Sequence, residues 1–568
     1  MAPLRQLSRE RRVPRPVADR RLLPAPSGRP EGKDFMLQLR GIVKEFGGRR
    51  ILDKLSLEVG RRDRLALIGE NGSGKSTLLR LIAGHLEPDA GSLHRAADVR
   101  VGYLEQGAGG SGGEGVGTLL ERGLERLRPG LAALWRGAAA GDPVAVDELL
   151  NRRGYRLAER LTRIAERLGV ARERLDGPSL TLSGGELARF DLAVLLTAEP
   201  ELLLLDEPTN YLDLEGLARA EELLGGYPGA FIVVSHDRVF LDAVAAETLE
   251  LEDGRSRRYH GGYSAYRERR DAEIAAAWED FHQAKRERRK LLAGMNRRLG
   301  IVRTIEGKGG GFAGTAHANR RGSMYYDRKA AKLSKTVNVV QRRIAEIESE
   351  RLTPPKSYTL RIAPPLGGAE RSAELVARAD DLFYAHPGGP ELFGGLELRL
   401  WRGRKLQLTG PNGGGKTTLI RLLLGELLPN RGSCGLGANV MVFHADQRTL
   451  GLPAGETVWD CLRRRSDANR RELHHLLARL LFRESDLEKP VEVLSGGERS
   501  RLFLALIGAT RANLLILDEP TAHLDLQSIE ALEEALAAYD GSLLFVSHDR
   551  AFGERLADER LEIPGPRS

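Results

Sequence analysis

Short apolar runs recur in two sets along the chain, and turn residues follow each run. Runs of four or five mostly apolar residues between turns predict buried strands of a parallel sheet. They lie at Arg64–Ile68, Leu202–Leu205 and Phe231–Val234, and again at Leu406–Thr409, Leu514–Leu517 and Leu543–Val546. One further run, Leu37–Ile42, predicts a strand that opens the first set. The pattern predicts an α/β fold that is built twice.

A long polar region separates the two sets of strands. Ala265–Arg303 predicts a helix about 60 Å long at 1.5 Å per residue, and Tyr325–Arg351 predicts a second helix. Between them, Glu306–Ser323 is basic and rich in glycine, so the sequence predicts a helical hairpin with a basic tip. The simpler alternative is a solvated spacer, which is what a run of charges usually is.

Five motifs occur in the same order in both halves. Each half has a loop of the form G-x-x-x-x-G-K-[ST], then a glutamine, an LSGGE segment, an Asp–Glu pair and a histidine. In both halves 31 residues separate the loop lysine from the glutamine, 23 separate the LSGGE serine from the aspartate, and 30 separate the aspartate from the histidine. The motifs lie at Gly69–Ser76, Gln106, Leu182–Glu186, Asp206–Glu207 and His236, and again at Gly410–Thr417, Gln447, Leu494–Glu498, Asp518–Glu519 and His548. These repeated intervals indicate a tandem nucleotide-binding protein.

Each glycine-rich loop follows a predicted strand and precedes a predicted helix, an arrangement that suits phosphate binding. The glycines let the backbone wrap a phosphate, while the loop N–H groups and the helix N-terminus attract its charge. Lys75 and Lys416 would reach the β- and γ-phosphates. The hydroxyls of Ser76 and Thr417 would be ligands of Mg²⁺.

The Asp–Glu pairs stand at the ends of buried strands and supply carboxylates to the same region. Asp206 and Asp518 would hold Mg²⁺. Glu207 and Glu519 would orient and activate the attacking water. A carboxylate pair after a strand can also be a solvated turn, but the lysine loop upstream favours the catalytic interpretation.

The LSGGE segments and the histidines complete the predicted sites. Each LSGGE precedes a helix, so it offers a serine hydroxyl, glycine backbone and a helix N-terminus to an anion. His236 and His548 follow apolar strands, from which they would hydrogen-bond a γ-phosphate. A single histidine in such a place is more often structural, and the matched spacing is what favours a catalytic role for both.

Composition excludes several classes of protein. The chain has 568 residues, too many for one hydrophobic core, with 41% hydrophobic and 29% charged residues. Its two cysteines, Cys434 and Cys461, exclude a disulfide framework, a cysteine-ligated iron–sulfur cluster and a cysteine-rich zinc module. No apolar stretch approaches the roughly 18 residues that a membrane-spanning helix needs. We therefore expect a cytoplasmic protein.

The positive charge is concentrated outside the repeated halves. The whole chain has a formal charge of +8, and residues 264–352 contain 21 Lys or Arg against 11 Asp or Glu. The first 35 residues contain nine against four, so the remainder of the chain is net acidic. A basic excess in the hairpin favours a polyanionic partner there, such as RNA bound through its phosphates without sequence readout.

With LSGGE beside the phosphate loops, the sequence resembles ATP-binding cassette ATPases. In that superfamily two cassettes meet head to tail, and each ATP lies between the phosphate loop of one cassette and the LSGGE of the other. The resemblance implies that Lys75 pairs with Ser495 and that Lys416 pairs with Ser183. It also implies Mg²⁺ ligands at Ser76, Gln106, Asp206, Thr417, Gln447 and Asp518. The implied ATP-binding residues are Phe46, Gly69, Asn71, Gly72, Gly74, Lys75, Ser76, Thr77, Ser183, Gly185, Tyr384, Gly410, Asn412, Gly413, Gly415, Lys416, Thr417, Thr418, Ser495 and Gly497.

Within that list, Phe46 and Tyr384 would stack on adenine because both lie upstream of a phosphate loop. Tyr384 is three residues farther from its loop than Phe46 is, which makes its assignment the weaker one. A second departure is Ala522, which stands where the first half has Asn210.

Three further segments resemble the ABC-F subfamily, whose members lack membrane domains and act on the ribosome. They are DEPTNYLD at Asp206–Asp213, SHDRVFL at Ser235–Leu241 and GGYSAYRERR at Gly261–Arg270. The resemblance implies an ATPase that acts as a monomer, with its hairpin directed toward ribosomal RNA and tRNA. Translation control, rescue of stalled ribosomes and protection from an antibiotic all stay open. The alternative is a tandem-cassette ATP-binding subunit of a membrane importer, whose cassettes would usually lack such a hairpin.

These features predict four parts of the chain. Residues 36–263 form the first cassette, 264–352 the hairpin linker and 353–568 the second cassette. Residues 1–35 are either a disordered tail or the product of a misassigned start codon. The glutamine-to-LSGGE interval is 77 residues in the first cassette and 48 in the second, which predicts an insertion in the helical subdomain at about 107–178.

Overall fold

The computed structural model describes most of the chain. The described residues are 35–105, 118–176, 184–309, 316–350 and 372–564, without 389, 412, 447–451, 453–454, 467, 481 and 523. The predicted N-terminal tail and the glycine-rich segment after Gln106 lie outside them.

The first cassette contains a three-stranded and a six-stranded sheet. Its strands are β1 (Phe35–Phe46), β2 (Arg49–Gly60), β3 (Arg64–Ile68), β4 (Ala90–Arg95), β5 (Val101–Leu104), β6 (Leu202–Asp206), β7 (Ala230–Val234), β8 (Glu247–Glu252) and β9 (Arg255–His260). The small antiparallel sheet has the order β2-β1-β4, and the large one has the order β5-β6-β7-β3-β8-β9. All neighbours in the large sheet are parallel except β8 and β9. Parallel strands bring their carboxyl ends, and the motifs that follow them, to one edge.

Helices pack on both faces of this sheet. They are α1 (Lys75–Ala83), α2 (Leu119–Leu127), α3 (Leu131–Ala139), α4 (Pro143–Asn151), α5 (Gly154–Arg167), α6 (Arg172–Leu175), α7 (Gly184–Ala198), α8 (Leu214–Gly225) and α9 (Arg238–Val244). One core packs β6 and β7 residues such as Leu203 and Phe231 against α2, α5 and α7. The opposite face packs Leu204 and Ile232 against α1 and the small sheet.

Two long antiparallel helices form the linker, as predicted. They are α10 (Tyr263–Gly309) and α11 (Ala316–Glu350). The first is 47 residues long, which corresponds to about 70 Å. Arg288 Nε on α10 donates to Glu348 Oε1 on α11 at 2.6 Å. Most residues of the predicted tip, Glu306–Ser323, are not among those whose side chains the structure describes.

The second cassette repeats the first. Its strands are β10 (Leu375–Ala385), β11 (Glu391–Trp401), β12 (Lys405–Thr409), β13 (Arg431–Leu436), β14 (Val442–Ala445), β15 (Leu514–Asp518), β16 (Ser542–Val546) and β17 (Glu559–Glu562). Its helices are α12 (Lys416–Leu423), α13 (Val458–Arg464), α14 (Arg470–Arg479), α15 (Gly496–Ala509), α16 (Leu526–Ala537) and α17 (Arg550–Leu556). The sheets have the orders β11-β10-β13 and β14-β15-β16-β12-β17, and the larger one is parallel throughout.

Comparison of the two cassettes locates extra residues within the predicted insertion. Helices α2 and α13 both begin after a threonine, Thr118 and Thr457, whose side chain accepts a backbone N–H of the first turn. Helix α14 corresponds to α5, because both end at the same distance before the LSGGE segment. Helices α3 and α4 have no counterpart among the described residues of the second cassette.

Candidate functional site

The first phosphate loop joins β3 to α1 in a conformation that depends on glycine. Gly72 and Gly74 have φ values of 82° and 103°. A Cβ atom on Gly74 would lie 2.7 Å from Cγ2 of Ile51, so only glycine fits there. The ammonium of Lys75 donates to the backbone oxygens of Gly69 and Glu70, at 2.6 and 3.0 Å. The loop therefore curls around its own lysine.

The second loop, between β12 and α12, has the same geometry. Nζ of Lys416 donates to the backbone oxygens of Gly410 and Pro411, at 2.9 and 3.0 Å. Burial lowers the pKa of both Lys75 and Lys416, although neighbouring carboxylates oppose the shift. A buried ammonium under this penalty is stabilised by an anion, which fits a phosphate ligand.

Two hydroxyl–carboxylate pairs stand beside the loops. Oγ1 of Thr417 donates to Oδ2 of Asp518 at 2.6 Å, and the hydroxyl of Ser76 hydrogen-bonds Asp206 in the same way. Burial raises the pKa of Asp206. Hydroxyl and carboxylate oxygens are the ligands that Mg²⁺ prefers, so these pairs fit the ion.

Each predicted catalytic glutamate is buried against the predicted histidine. Oε1 of Glu207 lies 3.1 Å from Nε2 of His236, and Oε1 of Glu519 lies 3.3 Å from Nε2 of His548. Burial raises the pKa of Glu207 to about 8, against the opposing charge of Lys75. Burial also raises the pKa of Glu519. A carboxyl group with a raised pKa is suited to accept a proton from water.

The first site brings together residues of both cassettes. One cavity is lined by Phe46, Asn71, Gly72, Gly74, Lys75, Ser76, Thr77, Asp206, Glu207, Asn210, His236 and Gly496. Gly496 belongs to the LSGGE segment of the second cassette. A Cβ atom on Gly497 would lie 3.7 Å from the backbone oxygen of Asn71. Ser495 is exposed and caps α15 by accepting from the N–H of Glu498.

The second site is lined by Gly413, Gly415, Lys416, Thr417, Thr418, Asp518, Glu519 and His548, together with His386. Tyr384 is not part of this lining. Its ring is 7% exposed and lies in the core, where its hydroxyl is 3.3 Å from Nδ1 of His386. Nε2 of His386 is in turn 3.4 Å from Oγ1 of Thr418. The ring beside the second phosphate loop is therefore His386.

Four predicted site residues, Gln106, Ser183, Asn412 and Gln447, lie outside the described residues, and their roles stay predictions. Gly185 is on the first turn of α7. Phe46 ends β1 and is 48% exposed, so its ring is available to a ligand in the cavity that it lines.

Two aspartates that are not among the predicted site residues lie close to the phosphate loop of the opposite cassette. Oδ2 of Asp525 accepts the backbone N–H of Asn71 at 3.3 Å, in the first phosphate loop. Asp213 lies near enough to Lys416 for its negative charge to oppose the lowering of the Lys416 pKa by burial. Each follows its Asp–Glu aspartate by seven residues, and this repeated interval was the available signal.

Two ion pairs join the cassettes in matching positions. Arg238 of the first cassette contacts Glu533 on α16, with Nη1 and Oε2 separated by 3.1 Å. Arg550 of the second cassette contacts Glu221 on α8. The arginines each follow a site histidine by two residues, so the pairs connect both histidine loops to the opposite cassette.

Comparison with known proteins agrees with this geometry. A family model described as ABC transporter matches residues 52–210 and 393–522. The tylosin resistance ATP-binding protein TlrC of Streptomyces fradiae is 36% identical, over 93% of this chain and 97% of its own. The energy-dependent translational throttle protein EttA of Mycobacterium tuberculosis is 33% identical, over 94% of this chain and 92% of its own.

A solved structure shares the fold. The archaeal ribosome recycling factor aABCE1, solved with the ribosomal stalk protein aP1, matches with a TM-score of 0.56 and 18% identity. The match covers 92% of this chain and 87% of that protein. Within the described ranges, no helix combines the length and the apolar character needed to cross a membrane.

Proposed function

Because this chain belongs to the ABC-F subfamily of ATP-binding cassette ATPases, we propose that it hydrolyses ATP at two sites between its cassettes and acts on the ribosome. The observation that carries the proposal is the approach of Gly497 to Asn71, because it sets one cassette's LSGGE against the other's phosphate loop. Such a site is complete only when the cassettes are closed, so ATP binding would favour closure.

The residues of each site divide the chemistry between them. Lys75 and Lys416 would neutralise the phosphates, and the LSGGE serines would close the site from the opposite cassette. The pairs Ser76–Asp206 and Thr417–Asp518 would hold Mg²⁺, with Gln106 and Gln447 as further ligands. Mg²⁺ would supply neutralisation of phosphate charge.

Hydrolysis would depend on the buried glutamates. Glu207 and Glu519 would accept a proton from the attacking water. His236 and His548 would contact the γ-phosphate and would also keep those carboxylates oriented. Phe46 and His386, the rings that line the two cavities, would contact adenine.

The linker hairpin supports a ribosomal partner. Its two antiparallel helices, α10 and α11, belong to a segment whose sequence is basic, and RNA phosphates attract such a charge. Two relatives point the same way, since one is named a translational throttle protein and the other a tylosin resistance protein. We infer that the hairpin contacts ribosomal RNA and tRNA, which would place the protein in the cytoplasm.

Co-sedimentation with ribosomes tests this function. The Glu207→Gln/Glu519→Gln double variant should bind ATP without hydrolysing it, and should pellet with ribosomes when ATP is present. Removal of 265–351 from the same variant should abolish pelleting while ATP binding persists. The proposal would be contradicted if the double variant binds ATP but never pellets with ribosomes. It would also be contradicted if the double variant hydrolyses ATP at the wild-type rate.

A further inference from the structure

Seven arginines line an open cavity of about 760 Å³ on the first cassette, which we call the arginine cavity. Among the described residues, its acidic lining consists of Glu199 and Glu201 alone. Such a density of like charge is unusual here, because the chain outside the hairpin and the first 35 residues is net acidic. Like charges repel one another, so a cluster of arginines favours an anionic partner, which is either a carboxylate of the protein or a ligand.

The arginine cavity lies at the edge of the sheet that faces away from the nucleotide sites. Arg62 precedes β3 and Arg100 precedes β5, whereas the phosphate loop follows β3. Strand β3 has five residues, so about 16 Å of extended chain separates the two edges. A ligand of the arginine cavity would therefore be distinct from ATP.

Some of the arginines are held in place by neighbouring carboxylates. Arg100 pairs with Glu201, with 3.0 Å between Nη2 and Oε1, and Arg160 pairs with Glu199. These pairs neutralise the two acidic lining residues. They also fix the guanidinium groups, which reduces the entropy that a ligand would have to offset on binding.

Three other arginines of the lining remain available to a ligand. Arg62, Arg153 and Arg156 are exposed, and none of them pairs with a carboxylate among the described residues. Arg153 also has a φ of 54°, which lies in the left-handed region. Arg156 and Arg160 are four residues apart on α5, where like charges repel one another.

The second cassette has no arginine at four of the seven positions, although Arg402 corresponds to Arg61. The positions that correspond to Arg62, Arg100, Arg156 and Arg160 are occupied by Gly403, Met441, Ala468 and Glu472. The phosphate-loop lysines, the Asp–Glu pairs and the histidines, in contrast, are the same in both cassettes. The arginine cavity is therefore a feature that the first cassette has in addition to its nucleotide site.

We propose that the arginine cavity is a second RNA-binding site, which takes the phosphodiester backbone of ribosomal RNA. The inference rests on the proposed ribosomal function and adds a contact that is separate from the hairpin. Guanidinium groups bind phosphate oxygens through paired N–H donors, and the open shape of the cavity admits a continuous strand. Recognition would depend on charge and not on base sequence.

The test compares two triple variants in the Glu207→Gln/Glu519→Gln background. Arg62→Gln/Arg153→Gln/Arg156→Gln removes the three available charges from the arginine cavity. Its control removes three exposed arginines from the helices of the second cassette, and consists of Arg463→Gln, Arg471→Gln and Arg479→Gln. Ribosome co-sedimentation with ATP and fluorescence anisotropy with an oligouridylate are measured between about 50 and 200 mM salt. Thermal unfolding and ATP binding verify that both variants are folded.

The cavity variant should bind more weakly than the control, and the slope of log K against log salt should fall by about 2, since each lost phosphate contact removes about 0.7. Equal slopes and affinities for the two triple variants would overturn the inference. If the background protein itself fails to bind ribosomes, the proposed function fails. The oligouridylate slopes then decide the inference alone, and equal slopes overturn it.

Discussion

Glu207 and Glu519 place a buried carboxyl group on a backbone that glutamate rarely adopts. Both residues have a φ of 54°, and the N–H of each donates to a residue of the neighbouring strand, Val234 or Val546. A left-handed conformation of this kind costs about 1–2 kcal/mol. Because the same strain occurs at the same position of both cassettes, it points to a function that requires the side chain there.

The raised pKa of Glu207 predicts a pH-dependent effect of its removal. The pKa of the Glu207 carboxyl group is about 8 in the folded protein and has its ordinary value of 4.5 in the unfolded chain. As the pH rises, the group therefore ionises in the unfolded chain before it ionises in the folded protein. It therefore destabilises the folded protein progressively as the pH rises from about 4.5 to 8. We expect Glu207→Gln to stabilise the nucleotide-free protein on the order of 2–4 kcal/mol at pH 8, with little effect near pH 4.5.

Thermal unfolding of wild type and variant, followed from pH 4.5 to 8.5, measures this difference. Glu173→Gln, at an exposed position of α6, is the control and should leave the unfolding temperature unchanged. A constant difference between wild type and Glu207→Gln across the range would mean that Glu207 is already ionised in the folded protein.

The direction of the Tyr384 side chain could not be predicted from the sequence. Phe46 precedes Gly69 by 23 residues, and the same count before Gly410 reaches Pro387, beside His386. Tyr384 is an aromatic residue close to that position, but its side chain packs in the core. Alternation along a strand decides which residues face a cavity, and the irregular pairing of β10 with β11 makes that alternation hard to count.

At the scale of elements, buried strands were the most predictable. The predicted run Arg64–Ile68 is β3, and β6, β7, β12, β15 and β16 each differ from the prediction by one residue. These strands are mostly apolar because both faces of a parallel sheet are covered, which gives short runs with sharp ends.

The linker helices were less predictable than the strands. Helix α11 begins at Ala316, nine residues before the predicted start at Tyr325. Its first residues are rich in alanine and arginine, which favour helix, but they have no apolar periodicity and include Gly322. The prediction relied on periodicity, which a hairpin with little core does not need.

The contacts between cassettes could not be predicted from local pattern, because their partners are about 300 residues apart. They differ in burial, and this predicts different energies. Glu533 is fully buried, and its partner Arg238 is 14% exposed. In the matching pair the side chains of Glu221 and Arg550 are 19% and 23% exposed. Water can therefore replace a lost partner more readily in the second pair.

We expect Glu533→Ala to destabilise the protein by about 3–5 kcal/mol, because it removes a fully buried carboxylate that Arg238 and Arg555 share and leaves Arg238 only Asp549, whose oxygen is 3.8 Å away. Glu221→Ala should cost about 1 kcal/mol. Urea unfolding measures both. The double variant Arg238→Ala/Glu533→Ala should lose less than the sum of its single variants. Equal losses from Glu533→Ala and Glu221→Ala would refute the ranking.

At the scale of the whole molecule, α16 connects the first nucleotide site to the linker. Asp525, its N-terminal cap, accepts the N–H of Asn71 in the first phosphate loop. Farther along the same helix, Glu530 accepts the hydroxyl of Tyr263 at 2.7 Å and pairs with Arg267 at 3.0 Å, both on α10. A change in the first phosphate loop can therefore reach the base of the linker through one rigid element.

The first cassette has no equivalent connection at this position. The residue of α8 that corresponds to Glu530 is Ala218, which has no polar atom in its side chain. The two sites are consequently unequal, although each has the loop lysine, the Asp–Glu pair and the histidine. The first site, whose phosphate loop touches α16, is the one that we expect to respond to a ribosome held by the linker.

Glu530→Ala tests this connection. It should leave ATP turnover without ribosomes close to that of wild type, since Glu530 contacts neither phosphate loop nor catalytic glutamate in the described residues. Turnover stimulated by ribosomes should fall about five- to tenfold, which corresponds to a coupling free energy of about 1 kcal/mol or slightly more. Glu534→Ala, at an exposed position of the same helix, should retain the stimulation. If ribosomes stimulate ATP turnover equally in both variants, the linker and the first nucleotide site are connected through a contact other than Glu530.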